Sequence, residues 1–169
     1  MYYQSIQQLT KMLLNFQVII DKAVAYAESK KFDIANLLNA RLAPDQFPFT
    51  KQVQVFCDSA KFAGARLAGK EAPKHEDNEK TIEELKERIN KVIGYLKEFN
   101  QDDFTGASDR KIELQFMPGK YITGEEYLVE FVIPNFYFHY CAAYSILRHN
   151  GLDIGKMDYI GSVNFKELK

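Results

Sequence analysis

The side chains able to do chemistry in this chain are few: three histidines (His75, His139, His149), two cysteines (Cys57, Cys141) and an aromatic run, Pro134-Asn135-Phe136-Tyr137-Phe138-His139-Tyr140. At about 100° per residue, Leu128, Val132, Asn135, His139, Ala142 and Ile146 fall on one helical stripe. The stripe is mostly apolar and is predicted to face a core. Asn135 and His139 are its polar exceptions, one turn apart. A third neutral polar residue, Gln52, lies on the flank of the apolar face of an earlier helix. An imidazole and two amides can satisfy one another in a buried network. His139, Asn135 and Gln52 are therefore the candidate ligand-binding residues. A lone core histidine also serves as a hydrogen-bonded structural residue, an acid–base group or a metal ligand. No catalytic residue is assigned.

A zinc centre argues against itself here. Such a site takes three ligands from His, Cys, Asp or Glu, and His139 alone offers one on the stripe. Asn135 and Gln52 carry amide oxygens, poor ligands for zinc or nickel. Cys141 lies about 200° around the helix from His139. Cys57, near the apolar stripe of the second helix, is the residue that could pair with His139 across a bundle. No metal and no cofactor are expected. GxGxxG, P-loop, HExxH, CxxC and GxSxG words are all absent. His75, between Lys74 and Glu76, reads as a solvated side chain, and the two cysteines as buried, reduced thiols. Tyr144 and Arg148, opposite His139, are read as a solvated pair.

Helices must position these groups. Ile6, Leu9, Leu13, Phe16, Ile20 and Ala23 predict a first helix over about residues 5–29. Asp33 can cap a short helical piece through Leu38. Residues 41–48 form a connector with two prolines. A second helix runs from Pro48 to a stop at Gly69, with Val53, Phe56, Ala60, Ala63 and Leu67 inward and small residues that admit a close neighbour. Residues 70–80, charged and without large apolar side chains, read as a surface linker. Thr81-Ile82-Glu83-Glu84 is a capping box, and Ile82, Leu85, Ile89, Val92, Leu96 and Phe99 define the third helix. Residues 111–116 alternate as a strand, Pro118-Gly119 turns, and residues 120–122 return. The fourth helix starts at a second capping box, Thr123 to Glu126, and ends before Gly151. Pro134 inside it predicts a kink. Residues 152–161 hold too many glycines for a helix, yet Leu152, Ile154, Met157, Tyr159 and Ile160 call for burial against the bundle.

Composition bounds the rest. The 169 residues fit one domain spanning 1–169, and 22 basic against 23 acidic side chains give a net charge of −1. That balance provides no basis for nucleic-acid binding. No apolar run reaches membrane-spanning length, and the start of the chain lacks the pattern of a signal peptide. A cytoplasmic protein without nucleic-acid or membrane partners is the expectation.

The words Arg41-Leu42-Ala43-Pro44-Asp45, Pro134-Asn135-Phe136-Tyr137-Phe138-His139 and Leu147-Arg148-His149-Asn150-Gly151, with Gly155-Lys156-Met157-Asp158-Tyr159-Ile160-Gly161 after them, resemble domain of unknown function family 1993, a branch of the DinB/YfiT-like helical bundles. The resemblance spans nearly the whole chain. It implies an all-α, up-down-down-up four-helix bundle, here with a small β-hairpin between helices three and four, and often a dimer. Many members of the wider group bind a divalent metal through one histidine on helix two and two at HxxxH spacing on helix four, and some are thiol-dependent transferases or hydrolases. In this chain Asn135 and Ala143 flank His139 at four residues, and helix two has no histidine. The functional expectation is a DinB-like protein that binds a small molecule or has a cryptic activity without the metal triad. The alternatives are a metal-dependent hydrolase or thiol transferase with a divergent site, and a structural dimerising bundle. A homodimer is expected, because Tyr137, Tyr140 and Tyr144 point away from the His139 stripe and at least one of them needs a cover: the tail or, as the resemblance favours, a second chain.

Overall fold

The computed structural model describes residues 1–168. Its long helices are α1 (Tyr2–Lys30), α3 (Phe49–Ala68), α4 (Ile82–Lys97) and α6 (Ile133–His149). Shorter pieces are α2 (Ala35–Asn39), α5 (Gly124–Glu126) and α7 (Lys156–Ile160), with strands β1 (Lys111–Glu113) and β2 (Tyr121–Thr123). The all-α bundle with a hairpin between its third and fourth long helices is the architecture the periodicities predict. The apolar stripes of α1, α3 and α4 named above are all buried.

Cross-helix contacts fix the directions. Gln17 meets Asn90 and Asp21 meets Lys86, so α1 and α4 are antiparallel. Asp58 meets Arg88, and Gly64 faces Leu96 and Phe99, so α3 and α4 are parallel. Gln52 meets His139 and Arg66 meets Tyr127, so α3 and α6 are antiparallel. The order is up-down-down-up. A parallel α3–α4 pair requires a connection that returns along the full helix. The 20 residues of α3 rise about 30 Å. Residues 69–81 reach about 43 Å when extended, enough to make the crossing.

Two local expectations, for the strand and the tail, are corrected, and the irregularity at Pro134 takes a specific form. Strand β1 stops at Glu113, because Met117 N–H turns back to Leu114 C=O at 2.8 Å. Pro134 produces a widened π-helical stretch over Tyr127–Val132, which leads into α6. A proline has no N–H and its ring collides with the carbonyl four residues back, and an extra residue in the turn relieves both. The tail does form a short helix, α7. Its start is secured by Gly155 N–H donating to the Asp158 carboxylate at 2.7 Å, and Met157 points to solvent.

Candidate functional site

The seam between α3 and α6 carries a ladder of polar contacts. Gln52, Ser59 and Arg66 stand seven residues apart on α3, where two helical turns bring each back to about the same face. They meet His139, Asn135 and Tyr127 on the opposing strip. His139 Nδ1 lies 2.7 Å from Gln52 Oε1. Asn135 Nδ2 donates to Ser59 Oγ at 2.6 Å, and Arg66 Nη1 donates to the Tyr127 hydroxyl at 3.0 Å.

The structure thus joins His139 and Gln52, as their shared inward position predicts, and separates Asn135 from them. One turn of α6 carries Asn135 far enough along the antiparallel seam that Ser59, one heptad on from Gln52, is the nearer partner. Ser59 is the residue that sequence reasoning missed. Its signal was the seven-residue spacing from Gln52, read only with the helix pairing in hand.

The protonation of His139 follows from its neighbours. Gln52 Nε2 donates to the Phe47 carbonyl at 3.0 Å, which leaves Oε1 as the acceptor facing the ring. His139 therefore carries its proton on Nδ1, and Nε2 keeps a free lone pair. Nε2 is not wholly shut off from solvent, although His139 as a whole is only 8% exposed. Burial holds the imidazole below its ordinary pKa, toward the neutral form. The Phe47 ring stacks on His139 at 6.3 Å between centroids, and Phe138 meets it edge-on at 5.1 Å. Both phenylalanines are more than a third exposed, at 50% and 60%. A neutral imidazole thus packs against two exposed aromatic rings and is oriented by an amide.

The three-histidine metal pattern implied by the resemblance does not fit these residues. Gln52 has committed its oxygen to His139, and Asn135 has turned its amide to Ser59. Cys57 lies about 140° around α3 from Gln52. It is fully buried, and its charged neighbours are Arg88, Asp58, Glu79 and Lys61. Burial pushes its thiol far up, so it offers no thiolate. Among the described residues no three His, Cys, Asp or Glu side chains stand close enough to hold an ion. The expectation that Cys141 is buried is also corrected. It is exposed, unbonded to Cys57, with Sγ 3.1 Å from the Tyr159 hydroxyl.

A second polar cluster lies on the α3–α4 seam, where the sequence reading placed only a solvated linker. Lys61 and Arg88 are each 2% exposed. Asp58 bonds Lys61 at 2.7 Å and Arg88 at 2.9 Å. Residues 70–80 fold over them: Asp77 and Glu79 reach Arg88 at 2.7 and 2.8 Å, and His75 Nδ1 lies 3.3 Å from Lys61 Nζ. His75 is therefore packed down and not solvated. Its pKa falls through burial first and then through the Lys61 and Arg88 charges. Two buried cations need carboxylates: Asp58 of α3 serves both, and the crossing strap adds Asp77 and Glu79 at Arg88.

Of the three tyrosines, the tail covers Tyr140 and Tyr144. Tyr140 is fully buried and meets Tyr159 edge-on at 5.1 Å, and Tyr144 meets the same ring at 5.5 Å. Tyr144 and Arg148, expected to be solvated, both donate to the Ile154 carbonyl and clamp the tail.

A crystal structure described as a DinB family member protein from Shewanella denitrificans superposes with a TM-score of 0.93 and 49% identity, over 96% of this chain and 93% of that one. No curated protein matches the sequence significantly. Among the described residues no helix is long and apolar enough to cross a membrane. The family described as Domain of unknown function (DUF1993) matches residues 1–160. With bundle, hairpin and His139-bearing helix all in place, this chain belongs to the DUF1993 family of DinB-like proteins.

Proposed function

We propose that the α3–α6 seam around His139 is a metal-independent binding site for a small ligand that has an aromatic or flat apolar body and an O–H or N–H donor. The supporting observation is the fixed tautomer. Gln52, held by the Phe47 carbonyl, directs the His139 proton toward itself and leaves Nε2 as an unpaired acceptor. The exposed rings of Phe47 and Phe138, both packed against His139, would supply the apolar contacts. A few oriented polar groups among aromatic side chains are the usual make-up of such sites. Half-buried Asn135 and Ser59, one rung along, extend the polar floor.

The test compares phenol with toluene, which share a ring and differ in the donor. Nitrogen-15 spectra of the histidine-labelled protein are recorded during each titration. Phenol is expected to shift the His139 Nε2 resonance, and toluene to leave it near its free position. His139→Phe is expected to bind the two equally. Equal shifts from both compounds, or none from either, would sink the reading.

A further inference from the structure

We propose that the α3–α4 face beneath residues 70–80 is a site for a phosphate or diphosphate group, which the strap closes with its own carboxylates until His75 takes up a proton. The face carries three cations, Lys51, Lys61 and Arg88, against one carboxylate, Asp58. The strap makes up the difference. Asp77 spans Lys51 at 2.8 Å and Arg88 Nη1 at 2.7 Å. Glu79 reaches the same Nη1 at 2.8 Å and accepts from the Gln54 amide. Several carboxylate oxygens on one guanidinium, with a lysine beside it, fill the positions that phosphate oxygens take on such a cluster. Arg88 Nε, buried and without a partner, is a donor that the strap leaves unused.

The strap is weakly held. Residues 70–80 carry no large apolar side chain, so burial of apolar surface does little to keep them down. Their backbone is tied near its ends, by the Tyr95 hydroxyl on Glu71 C=O at 3.0 Å and by Lys80 N–H on the Glu84 carboxylate at 2.6 Å. Between those ties side chains make the hold, and Asp77 reaches its partners from a left-handed backbone at φ 53°, which a β-carbon disfavours. A cleft of about 430 Å³ already undercuts the strap beside the α4 stripe Glu84, Glu87, Arg88 and Lys91. Its carboxylates are engaged: Glu84 accepts from Thr81 N–H, Glu87 pairs with Lys91, and Glu76 accepts from the Asn78 amide. Lys74 adds a further cation to the lining.

His75 is the trigger. Its Nδ1 lies 3.3 Å from Lys61 Nζ. An ammonium can only donate, so Nδ1 accepts and the ring is neutral while the strap is down. A proton on Nδ1 turns this hydrogen bond into a contact between two cations. Arg88 adds to the repulsion. Glu79 and Asp58 oppose it, but Asp58 stands 3.8 Å away and already serves Lys61 and Arg88. Burial first, then the Lys61 and Arg88 charges, hold the ring below its ordinary pKa. The strap is therefore down above about pH 6.5 and comes away as the pH falls through the folded value. Asp77 and Glu79 stay ionised there. Burial raises both carboxyls, but the bonds from Lys51 and Arg88 outweigh it and hold them below the usual range. This face lies between α3 and α4 and His139 between α3 and α6, so the two sites stand or fall separately.

Glutamyl endopeptidase, active across this pH range, reads the strap through cleavage after Glu71 and Glu79, normalised at each pH to the free peptide 70–80. Cleavage of a folded chain follows its open population. It should rise at least tenfold from pH 7.5 to 5.5 with unchanged circular dichroism. His75→Gln, whose amide oxygen accepts from Lys61 and takes no proton, should stay resistant at pH 5.5. His75→Arg should be cut readily at pH 7.5. In calorimetric titrations inorganic pyrophosphate should bind the parent at least tenfold more tightly at pH 5.5 than at 7.5. His75→Arg should bind it at both values, and Lys51→Gln should bind it several-fold more weakly than the parent at pH 5.5. Cleavage of His75→Gln that rises like the parent's overturns the trigger. An opened His75→Arg chain that ignores pyrophosphate overturns the site, as does binding to the parent that is equal at both pH values or unaffected by Lys51→Gln.

Discussion

Replacing Gln52 by Leu tests the His139 contact most directly, because it removes one group from a chain of two hydrogen bonds. Gln52 is 1% exposed and joins His139 Nδ1 at 2.7 Å to the Phe47 carbonyl at 3.0 Å. Leucine keeps most of the volume and strands the buried Nδ1–H. A stranded buried donor costs about 1–3 kcal/mol. The Phe47 carbonyl belongs to a half-exposed residue and can take water, so it adds little. The single substitution should therefore cost about 2 kcal/mol. His139→Phe strands the Gln52 oxygen instead and keeps a ring against Phe47, for a cost of about 1–2 kcal/mol. The pair of substitutions together leaves neither group stranded.

The double variant should then be no less stable than the worse single one, with a coupling of about 2 kcal/mol between the sites. Urea unfolding of the four proteins measures this, provided the slopes agree. In thermal melts Gln52→Leu should lower the midpoint by about 4–8 °C for a chain of this size. Costs that add to within about 0.5 kcal/mol would refute the reasoning, since independent sites add and stranded partners do not.

Arg88→Met removes the cation that holds Asp58, Asp77 and Glu79 together, and should cost about 3 kcal/mol. It should also expose residues 70–80 to trypsin at Lys74 and Lys80, and a variant as resistant as the parent would show that the strap is held by other means. Stability should fall in mild acid. Burial sets the folded-state pKa of both His75 and His139 below the ordinary value, so the unfolded chain takes up protons first. That contribution is whole above about pH 6.5 and is lost as the pH drops through the folded values. Urea midpoints between pH 7.5 and 5 should decline, less so in a His75→Asn, His139→Gln protein, and a flat profile would contradict the burial argument. Gly124→Ala should cost about 1–3 kcal/mol, because the added methyl collides with the Ala107 carbonyl; an unchanged melting temperature would place the hairpin connection elsewhere.

Much of the bundle is legible from spacing alone. Ile82, Leu85, Ile89, Val92, Leu96 and Phe99 are all buried as predicted, because a stripe at intervals of three and four has only one way to face a core. The Gln52–His139 contact is legible for the same reason, since both residues sit on stripes that must meet. Asn135 was assigned to the wrong partner because periodicity gives the face of a residue and not its height along a neighbouring helix. Lys61 and Arg88 were invisible. Each adjoins an apolar stripe position, Ala60 and Ile89, and a charged residue there ordinarily extends to solvent. Their burial comes from the strap, and the strap lies where it does because α3 and α4 are parallel. Topology, not composition, decides the fate of His75.

The two seams of α3 show why one polar cluster reads as scaffold and the other as site. On the α4 side, Lys61 and Arg88 are met by Asp58, Asp77 and Glu79, with His75 closing over them. Breaking such a set is costly, and its charges are largely spent on one another, with Arg88 Nε alone among its buried atoms left without a partner. On the α6 side the groups around His139 are neutral, and their hydrogen bonds run in one direction: Gln52 donates to a backbone carbonyl, His139 donates to Gln52, and the sequence of donors ends at a ring nitrogen with nothing to accept from. The ring that carries this nitrogen packs against Phe47 and Phe138, two phenylalanines that are more than a third exposed. Stability alone would favour filling that position with an apolar side chain. The free lone pair is the feature that a purely structural histidine leaves unexplained, and it places the search for a ligand at His139 Nε2.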